Sequence, residues 1–232
     1  METVRRMVMP PYNARAVVAQ VEALGVRSTN LAAIIATFTG MVLALQTAYT
    51  LAAFGAKLYI GEVVGMSLVR ELGPVLTALM VGGRVGAGIT AELGAMTVSE
   101  QVDALRSLGA DPIRELVVPR VWALVLGLPL LTVLADATGI LGGMLISTWE
   151  LGLDPSFYFS HVLRLMGYGD FLSGLGKSVC FALAIGLIAA YNGLSASGGA
   201  DGVGRATTDT VVAIAITVLG LDFFLTKLFL SL

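Results

Sequence analysis

Residues 70–120 read RELGPVLTALMVGGRVGAGITAELGAMTVSEQVDALRSLGADPIRELVVPR, and they are the most informative part of the chain. A glycine-rich apolar segment with an Arg-Glu pair at its start runs into a short amphipathic stretch and then into a second long apolar segment. Apolar runs of about 20 residues are long enough to cross a bilayer as helices. The stretch therefore predicts two membrane spans joined by a polar helix, with charged residues kept inside one span.

The composition of the whole chain extends this interpretation. Of its 232 residues, 56% are hydrophobic and 13% are charged, whereas soluble domains carry about 25% charged residues. We predict an all-α polytopic membrane protein, because a helix satisfies its own backbone hydrogen bonds inside a bilayer. Five spans are predicted, at residues 31–54, 63–91, 117–149, 178–191 and 210–230.

The section before the first span has a different character. Residues 1–30 are predicted to be a separate cytoplasmic or interfacial section, and residues 31–232 the transmembrane domain. Asn13 can cap a helix that Gly25 ends, and Val17, Val18 and Val21 fall on one face of it. This helix is too polar to span, so we predict that it lies on the membrane surface.

The distribution of basic residues predicts the orientation, because Lys and Arg favour cytoplasmic loops. The N-terminus and residues 92–111 and 192–209 are predicted to be cytoplasmic, and residues 55–62 and 150–170 and the C-terminus to be outside. The predicted outer ends carry Lys57, Arg164 and Lys227. The predicted cytoplasmic ends carry Arg5, Arg6, Arg15, Arg27, Arg84, Arg106, Arg114, Arg120 and Arg205.

Charged residues also occur within or at the edge of the predicted spans. An ionised side chain at the centre of a span costs about 2.5–3.5 kcal/mol, so such residues face partners or a wet cavity. Two interpretations stay open: ion pairs that hold the bundle together, and a polar lining that meets a charged head group. Because adjacent residues of a helix point about 100° apart, the first two are expected to have different neighbours. The set is Arg70, Glu71, Asp136, Lys177 and Asp222.

Residues 97–109 are predicted to form a cytoplasmic helix. Thr97 and Glu100 make a T-x-x-E capping box, and Gly109 can end the helix. Asp111 and Pro112 then provide the cap and the first position of the next helix. The cytoplasmic helix either rests on lipid head groups or docks a soluble partner. Its apolar stripe consists of Val98, Val102, Leu105 and Leu108, and its polar face of Glu100, Gln101, Asp103 and Arg106.

Three pairs of glycines have the four-residue spacing that allows helices to approach closely. They predict packing within one bundle or, alternatively, a contact between subunits. The pairs are Gly61/Gly65, Gly82/Gly86 and Gly139/Gly143.

The chain shows no pattern typical of an enzyme, a metal site or a bound cofactor, and we expect none of these. Cys180 is the only cysteine, which excludes an intrachain disulfide and a multi-cysteine metal site. His161 is the only histidine and is interpreted as an ordinary residue of an outer loop. No basic block is present, so nucleic acid is not an expected partner.

The segment RELGPVLTALMVGGRVGAGITAELGAMTVSEQVDAL, followed by DPIRELVVPR and LPLLT, resembles the MlaE or YrbE-type family of ABC-transporter permeases. GRATTDTVV and LGLDFFLT near the C-terminus resemble the closing segment of that family. The resemblance implies a homodimeric, multi-pass permease of the bacterial inner membrane that moves phospholipids or other lipids. Its implied partners are a cytoplasmic ABC ATPase, a periplasmic Mce-domain protein, a second copy of itself and membrane lipids.

The resemblance also implies roles for particular residues. Arg70, Glu71, Lys177 and Asp222 match polar positions inside the spans of the family. The implied lipid-cavity residues on the first span are Leu43, Thr50, Leu51 and Phe54. The implied ATPase-coupling residues are Val98, Glu100, Gln101, Val102, Asp103, Leu105 and Arg106.

Two other functions remain open from the residues alone. An ion- or proton-coupled secondary transporter would use Glu71, Asp136 and Asp222, but it leaves the capped cytoplasmic helix unexplained. A membrane scaffold without transport activity would use the same charges only for assembly.

Overall fold

The computed structural model describes residues 14–25 and 28–231, and the regular elements in these ranges are all helices. Five are long and apolar enough to cross a membrane, so the all-α class and the number of spans are confirmed. The predicted N-terminal cap Asn13 lies outside the described residues. The spans run Thr29–Leu51, Lys57–Val98, Ile113–Leu151, Tyr168–Leu194 and Gly199–Phe229.

Ten α-helices build the described part of the chain. The second span contains three of them, α3 to α5, and the others are single elements. In order they are α1 (Ala14–Leu24), α2 (Thr29–Ala52), α3 (Ile60–Ser67), α4 (Gly73–Val81), α5 (Ala87–Val98), α6 (Gln101–Ser107), α7 (Val118–Leu151), α8 (Pro155–Leu165), α9 (Tyr168–Leu194) and α10 (Gly199–Ser231).

The second to fifth spans are longer than hydropathy predicted, and the fourth shows why. It begins at Tyr168 and not at residue 178, so Lys177 lies well inside α9 and not at its start. Asp170 stands in the first turn of the same helix. These two charged residues have ion-pair partners inside the chain, which allows a helix to continue through positions that look like a loop.

The predicted outer loop at residues 150–170 is likewise wrong as a plain loop. It contains the helix α8, which begins at Pro155 behind the cap residue Asp154. The Asp154 side chain accepts hydrogen bonds from the backbone amides of Ser156 and Phe157 at 2.8 and 3.1 Å. Asp at the cap followed by Pro at the first position is a favoured helix start.

The second span is irregular at two places. A π-helical turn at Leu68–Leu72 separates α3 from α4, and another at Gly82–Gly86 separates α4 from α5. A third π-helical turn, Ile113–Val117, opens the third span. Such turns insert an extra residue into the helix and are frequent at functional sites.

The predicted capping box at residues 97–100 is wrong. Thr97 belongs to α5, where its hydroxyl donates to the carbonyl of Leu93 at 2.8 Å, because the second span continues to Val98. Glu100 then takes a left-handed conformation with φ 60° and makes no side-chain cap. The helix predicted to be cytoplasmic is therefore α6, and it is shorter than predicted. The predicted cap Asp111 is confirmed, since its carboxylate accepts the amide of Ile113 at 3.1 Å.

By internal contacts the chain divides into two compact units, each described by itself. The first unit comprises Ser28–Thr77 and Pro129–Ser178, and the described residues of the second are 14–25, Ala78–Leu128 and 179–231.

Small residues allow close helix packing in the first unit. A side chain at Gly40 of α2 would collide with the backbone of Gly139 on α7, and one at Gly142 would collide with the carbonyl of Thr37. These helices therefore touch backbone to backbone. On α3, Gly61 and Gly65 lie equally close to Tyr158 and Val162 of α8.

The second unit is joined by glycine contacts and by a buried polar group. Gly82 and Gly86 both face Ile214 of α10. Thr90 and Thr210 are completely buried and their hydroxyls lie 3.0 Å apart. The Asn192 amide donates to the Thr210 hydroxyl at 2.9 Å, which ties α5, α9 and α10 together. The predicted glycine pairs thus pack within one chain.

Candidate functional site

The charged residues of the second span pair with α9. The guanidinium of Arg70 forms an ion pair with the carboxylate of Asp170. The carboxylate of Glu71 lies 2.7 Å from the ammonium of Lys177, whose side chain is 2% exposed. The expectation that Arg70 and Glu71 have different neighbours is confirmed. Each charge is compensated by a partner of opposite sign, which offsets the cost of removing both from water.

Asp170, the partner of Arg70, was not predicted from the sequence as an intramembrane charge. Hydropathy places it in an outer loop, because the fourth span is predicted to begin after it. In the structure its second carboxylate oxygen accepts the backbone amide of Gly167 at 2.9 Å, which anchors the start of α9. The signal was the spacing of Asp170 and Lys177, since residues seven apart lie on one face of a helix. We call Arg70, Glu71, Asp170 and Lys177 the charge cluster.

The other two predicted intramembrane charges, Asp136 and Asp222, lie on α7 and α10. Asp136 on α7 is 6% exposed and lies against the α-carbon of Gly73. Its Oδ1 atom has no hydrogen-bond partner in the described part of the chain. Asp222 lies on α10 in the second unit, and its side chain is partly exposed.

An open apolar groove of about 350 Å³ lies beside α2 in the first unit. Three of its residues, Phe38, Val42 and Gln46, recur every four residues and are exposed on one stripe of the helix. Ligand pockets have volumes of about 300–1,000 Å³, so the groove has the size of a small ligand site. Its walls are Phe38, Thr39, Val42, Leu43, Gln46 and Leu72.

The four predicted cavity residues do not all reach this groove. Leu43 lines it. Leu51 is partly buried against the core around Val64 and Tyr158. The hydroxyl of Thr50 donates to the carbonyl of Gln46 within α2. Phe54, which is 80% exposed, follows the end of α2 and is not part of the span.

The groove is adjacent to the charge cluster along the chain. Leu72, which contributes to the groove wall, directly follows Glu71 in the π-helical turn Leu68–Leu72. The same turn carries Arg70. One turn of the second span therefore contains a residue of the groove wall and a pair of opposite charges.

The predicted coupling residues are distributed over two helices. Val98 ends α5, Glu100 lies in the connecting turn, and α6 carries the rest. Val102 is 3% exposed, so it attaches α6 to its own chain and is not available to a partner. Arg106 donates to Asp103 at 2.7 Å on the exposed face. The accessible face of α6 is therefore mainly polar.

The interpretation of His161 as an ordinary loop residue is wrong. It lies in α8, with its Nδ1 atom 3.0 Å from the carboxylate of Glu62 and its ring against Phe157. Hydropathy gave no sign of this pair, because the two residues stand 99 positions apart in the chain. Among the described residues, no group of three or more His, Cys, Asp or Glu side chains is placed to hold a metal ion.

Comparison with known proteins agrees with this architecture. The family model described as Permease MlaE matches residues 17–228. The intermembrane phospholipid transport system permease protein MlaE of Haemophilus influenzae is 41% identical, over 91% of this chain and 81% of that protein. A probable ABC transporter permease protein of Rickettsia felis is 40% identical, over 97% of this chain and 87% of that protein.

A plant protein is also similar. The chloroplastic protein TRIGALACTOSYLDIACYLGLYCEROL 1 of Arabidopsis thaliana is 36% identical, over 98% of this chain and 65% of that protein. The five spans and the similarity across nearly the whole chain lead to one conclusion. The chain is a multi-pass membrane protein that belongs to the MlaE family of permeases.

Proposed function

We propose that this chain is the permease subunit of an ABC transporter that moves phospholipids or related lipids between the inner and outer membranes of a bacterium. The observation that carries the proposal is the apolar groove, whose wall residue Leu72 directly follows Glu71 of the charge cluster in the chain. A lipid has apolar tails and a charged head group, and the site offers a surface for each. The names of the relatives from Haemophilus influenzae and Rickettsia felis support this substrate class and this transporter class.

Within this proposal the groove holds part of a lipid tail. Leu43 retains its predicted role, and Phe38 and Val42 are added to it on the same helix. The head group meets the polar positions, of which Arg70 and Glu71 lie nearest to the groove along the chain. The other proposed polar positions are Asp136, Lys177 and Asp222, which were predicted from their charge or from the family resemblance.

A separate ATPase supplies the energy, and the chain itself is not an enzyme. The proposed contact is the accessible face formed by Glu100, Gln101, Asp103 and Arg106, together with Val98 and Leu105. A short helix between two spans, attached to the chain by Val102, is suited to transmit a push from a cytoplasmic partner.

The remaining partners are a second copy of the chain, a periplasmic Mce-domain protein and membrane lipids. The fifth span supports a dimer, because only 11% of its most apolar 18-residue segment is buried within the chain. Val212, Ile216, Leu219 and Phe223 form an exposed stripe along it. Such a stripe fits a second copy or lipid tails, and the inner membrane is the proposed location.

In the proposed mechanism, lipid enters the groove beside α2 in a transporter that contains two copies of the chain. ATP hydrolysis in the partner moves α6, closes the groove and expels the lipid toward the Mce-domain protein. Closure can expel a lipid only if the open and closed states bind it with different affinity. Closure must therefore remove the contact between the apolar wall and the lipid tails.

The experiment is ATP-driven transfer of a labelled phospholipid by the purified complex in vesicles, with bound lipid counted by mass spectrometry. Val42→Trp fills the groove, and we expect it to lower bound lipid and transfer together. Ile34→Trp is the matched control, since Ile34 is equally exposed on α2 but outside the groove. Equal lipid content and transfer in both folded variants would contradict the proposed site.

The alternative of an ion-coupled transporter is not favoured by the similarity to ABC permeases. It predicts transfer that continues without ATP and stops with an uncoupler. The proposed function predicts the opposite pattern in the same vesicles.

A further inference from the structure

A proline creates a gap in the hydrogen bonding of the second span. Pro74 has no backbone amide hydrogen, so the carbonyl four residues earlier loses the donor that an α-helix would provide. In α-helical spacing that carbonyl belongs to Arg70. The turn is π-helical, since the amide of Gly73 bonds to the carbonyl of Leu68 five residues earlier, and in this spacing the carbonyl opposite Pro74 is that of Val69. With either spacing, Pro74 leaves the turn one amide donor short. Inside a membrane an unpaired carbonyl is unfavourable because no water replaces the lost donor.

A side chain from another helix donates to this carbonyl. The Nζ atom of Lys177 lies 3.0 Å from the carbonyl oxygen of Arg70 and 2.7 Å from the Glu71 carboxylate. An ammonium group has three donors, so it can bond both acceptors at once. The residue is almost fully buried, which keeps the geometry of these bonds defined.

Two further residues of α9 contact the same turn. Gly174 faces the carbonyl of Val69 so closely that a side chain there would collide with it. Asp170 holds the guanidinium of Arg70. Residues 170, 174 and 177 lie on one face of a helix, because they are separated by four and three positions. This face of α9 therefore fits the backbone of the irregular turn as well as its charges.

We propose that Lys177 is a positioning residue that supplies the hydrogen-bond donor missing at Pro74, and thereby fixes the turn that directs Arg70 and Glu71. Lys177 is needed because residue 74 is proline. A lysine that bound a lipid head group would be needed whatever residue stood at position 74. The bond is independent of the proposed function, and only the transfer measurement below rests on that function.

The bond is first tested in the unaltered protein by solid-state NMR. Labelling arginine carbonyl carbons with ¹³C and glutamate amides with ¹⁵N selects Arg-Glu pairs, which occur only at residues 70–71 and 114–115. With ¹⁵N also at lysine Nζ, we expect a close dipolar contact to the Arg70 carbonyl carbon and none to that of Arg114. Absence of the Arg70 contact in the folded protein would overturn the proposal.

The second test is a double-mutant cycle of Lys177→Met and Pro74→Ala. Lys177→Met is expected to lower both the Tm in detergent and the lipid transfer per ATP hydrolysed. Pro74→Ala restores an amide hydrogen that bonds the Arg70 carbonyl when the turn takes α-helical spacing, so the double variant is expected to regain most of both losses. The cycle is repeated with Glu71→Gln, so that a stranded carboxylate does not account for the difference.

The outcomes separate the two proposals. If Lys177→Met is equally harmful with proline or alanine at position 74, Lys177 does not act through the Arg70 carbonyl. If the Tm is rescued but the unaltered protein transfers no lipid, the proposed function fails and the positioning role stands. If Pro74→Ala does not fold, the NMR contact in the unaltered protein decides the question.

Discussion

Gly142 lies in the third span with its α-carbon against the carbonyl oxygen of Thr37 on the first span. Gly127 lies on the same helix α7, and an added methyl group there meets nothing within 4 Å. Replacing each glycine by alanine therefore tests whether the close backbone contact at Gly142 contributes to the free energy of unfolding, since both replacements make the same change within one helix. Overpacking a tight site costs about 1–3 kcal/mol.

We expect Gly142→Ala to lower the free energy of unfolding by about that amount. Gly127→Ala should leave it unchanged or raise it slightly, because alanine favours a helix over glycine. The measurement is unfolding in mild detergent, followed by circular dichroism. Equal losses in the two variants would show that the contact with Thr37 contributes nothing.

At the residue scale, spacing predicted more than hydropathy. The four-residue glycine pattern found Gly139 and Gly143, and the angle between adjacent helix positions predicted separate partners for Arg70 and Glu71. Partner identities were not predictable in this way, because the Arg70–Asp170 contact joins residues 100 positions apart. Whether Leu43 or Leu51 faces a groove depends on the neighbouring helices, and the first span alone does not contain that information.

At the scale of elements, the start of α8 depends on one carboxylate. The hydroxyl of Ser156, and then the amides of Phe157 and Ser156, hold the pKa of the Asp154 carboxyl below its usual value of 3.8. A group with a lowered pKa stabilises the folded state above its unfolded pKa and loses this effect as the pH falls. The cap therefore persists at neutral pH and weakens only in acid below pH 3.8.

We expect Asp154→Asn to keep the cap and to remove this acid dependence, because asparagine caps helices but does not titrate. Asp154→Ala should loosen the first turn at every pH. The measurement is hydrogen exchange of the Ser156 and Phe157 amides against pH. The same acid-dependent increase in exchange in the aspartate and asparagine proteins would rule out the carboxylate as its cause.

Substitutions in α6 can distinguish an effect on ATPase docking from an effect on folding. Asp103 and Arg106 form an exposed ion pair, and exposed pairs contribute little to stability. The double variant Asp103→Ala/Arg106→Ala is therefore expected to keep its Tm and to lose binding of the ATPase and stimulation of its ATP hydrolysis. Val102→Ala is the contrasting control, with an expected loss of about 0.5–3 kcal/mol in stability. Full ATPase coupling in the double variant would remove these residues from the docking surface.

Elements differed in how well the sequence predicted them. The five spans were evident, because each contains a long apolar run. Their ends were not, since Asp170 and Lys177 look like loop residues until their partners are known. The left-handed conformation of Glu100 and the π-helical turns were not predicted either. They depend on tertiary contacts, and a residue such as Pro74 is compatible with more than one helix geometry.

At the scale of the whole molecule, the orientation in the membrane is the open prediction. Replacing Cys180 by serine gives a background without cysteine. Single cysteines are then placed at exposed positions by Ser107→Cys, Ser195→Cys and Ser160→Cys. The excess of Lys and Arg predicts that only the last reacts with a membrane-impermeant maleimide in intact spheroplasts. Labelling of the first two before permeabilisation would reverse the predicted topology.

The close fit between the first and third spans has a consequence during synthesis. The hydroxyl of Thr37 lies 3.4 Å from the carbonyl of Thr138, and these residues are 101 positions apart. At about 5–20 residues per second, a ribosome makes the first span about 5–20 s before its partner surface emerges. For that interval the nascent helix keeps a glycine-bearing face without its native cover. Slower translation between the two spans therefore lengthens the time for which this face is exposed. We expect it to lower the yield of folded protein and to leave the stability of the folded protein unchanged.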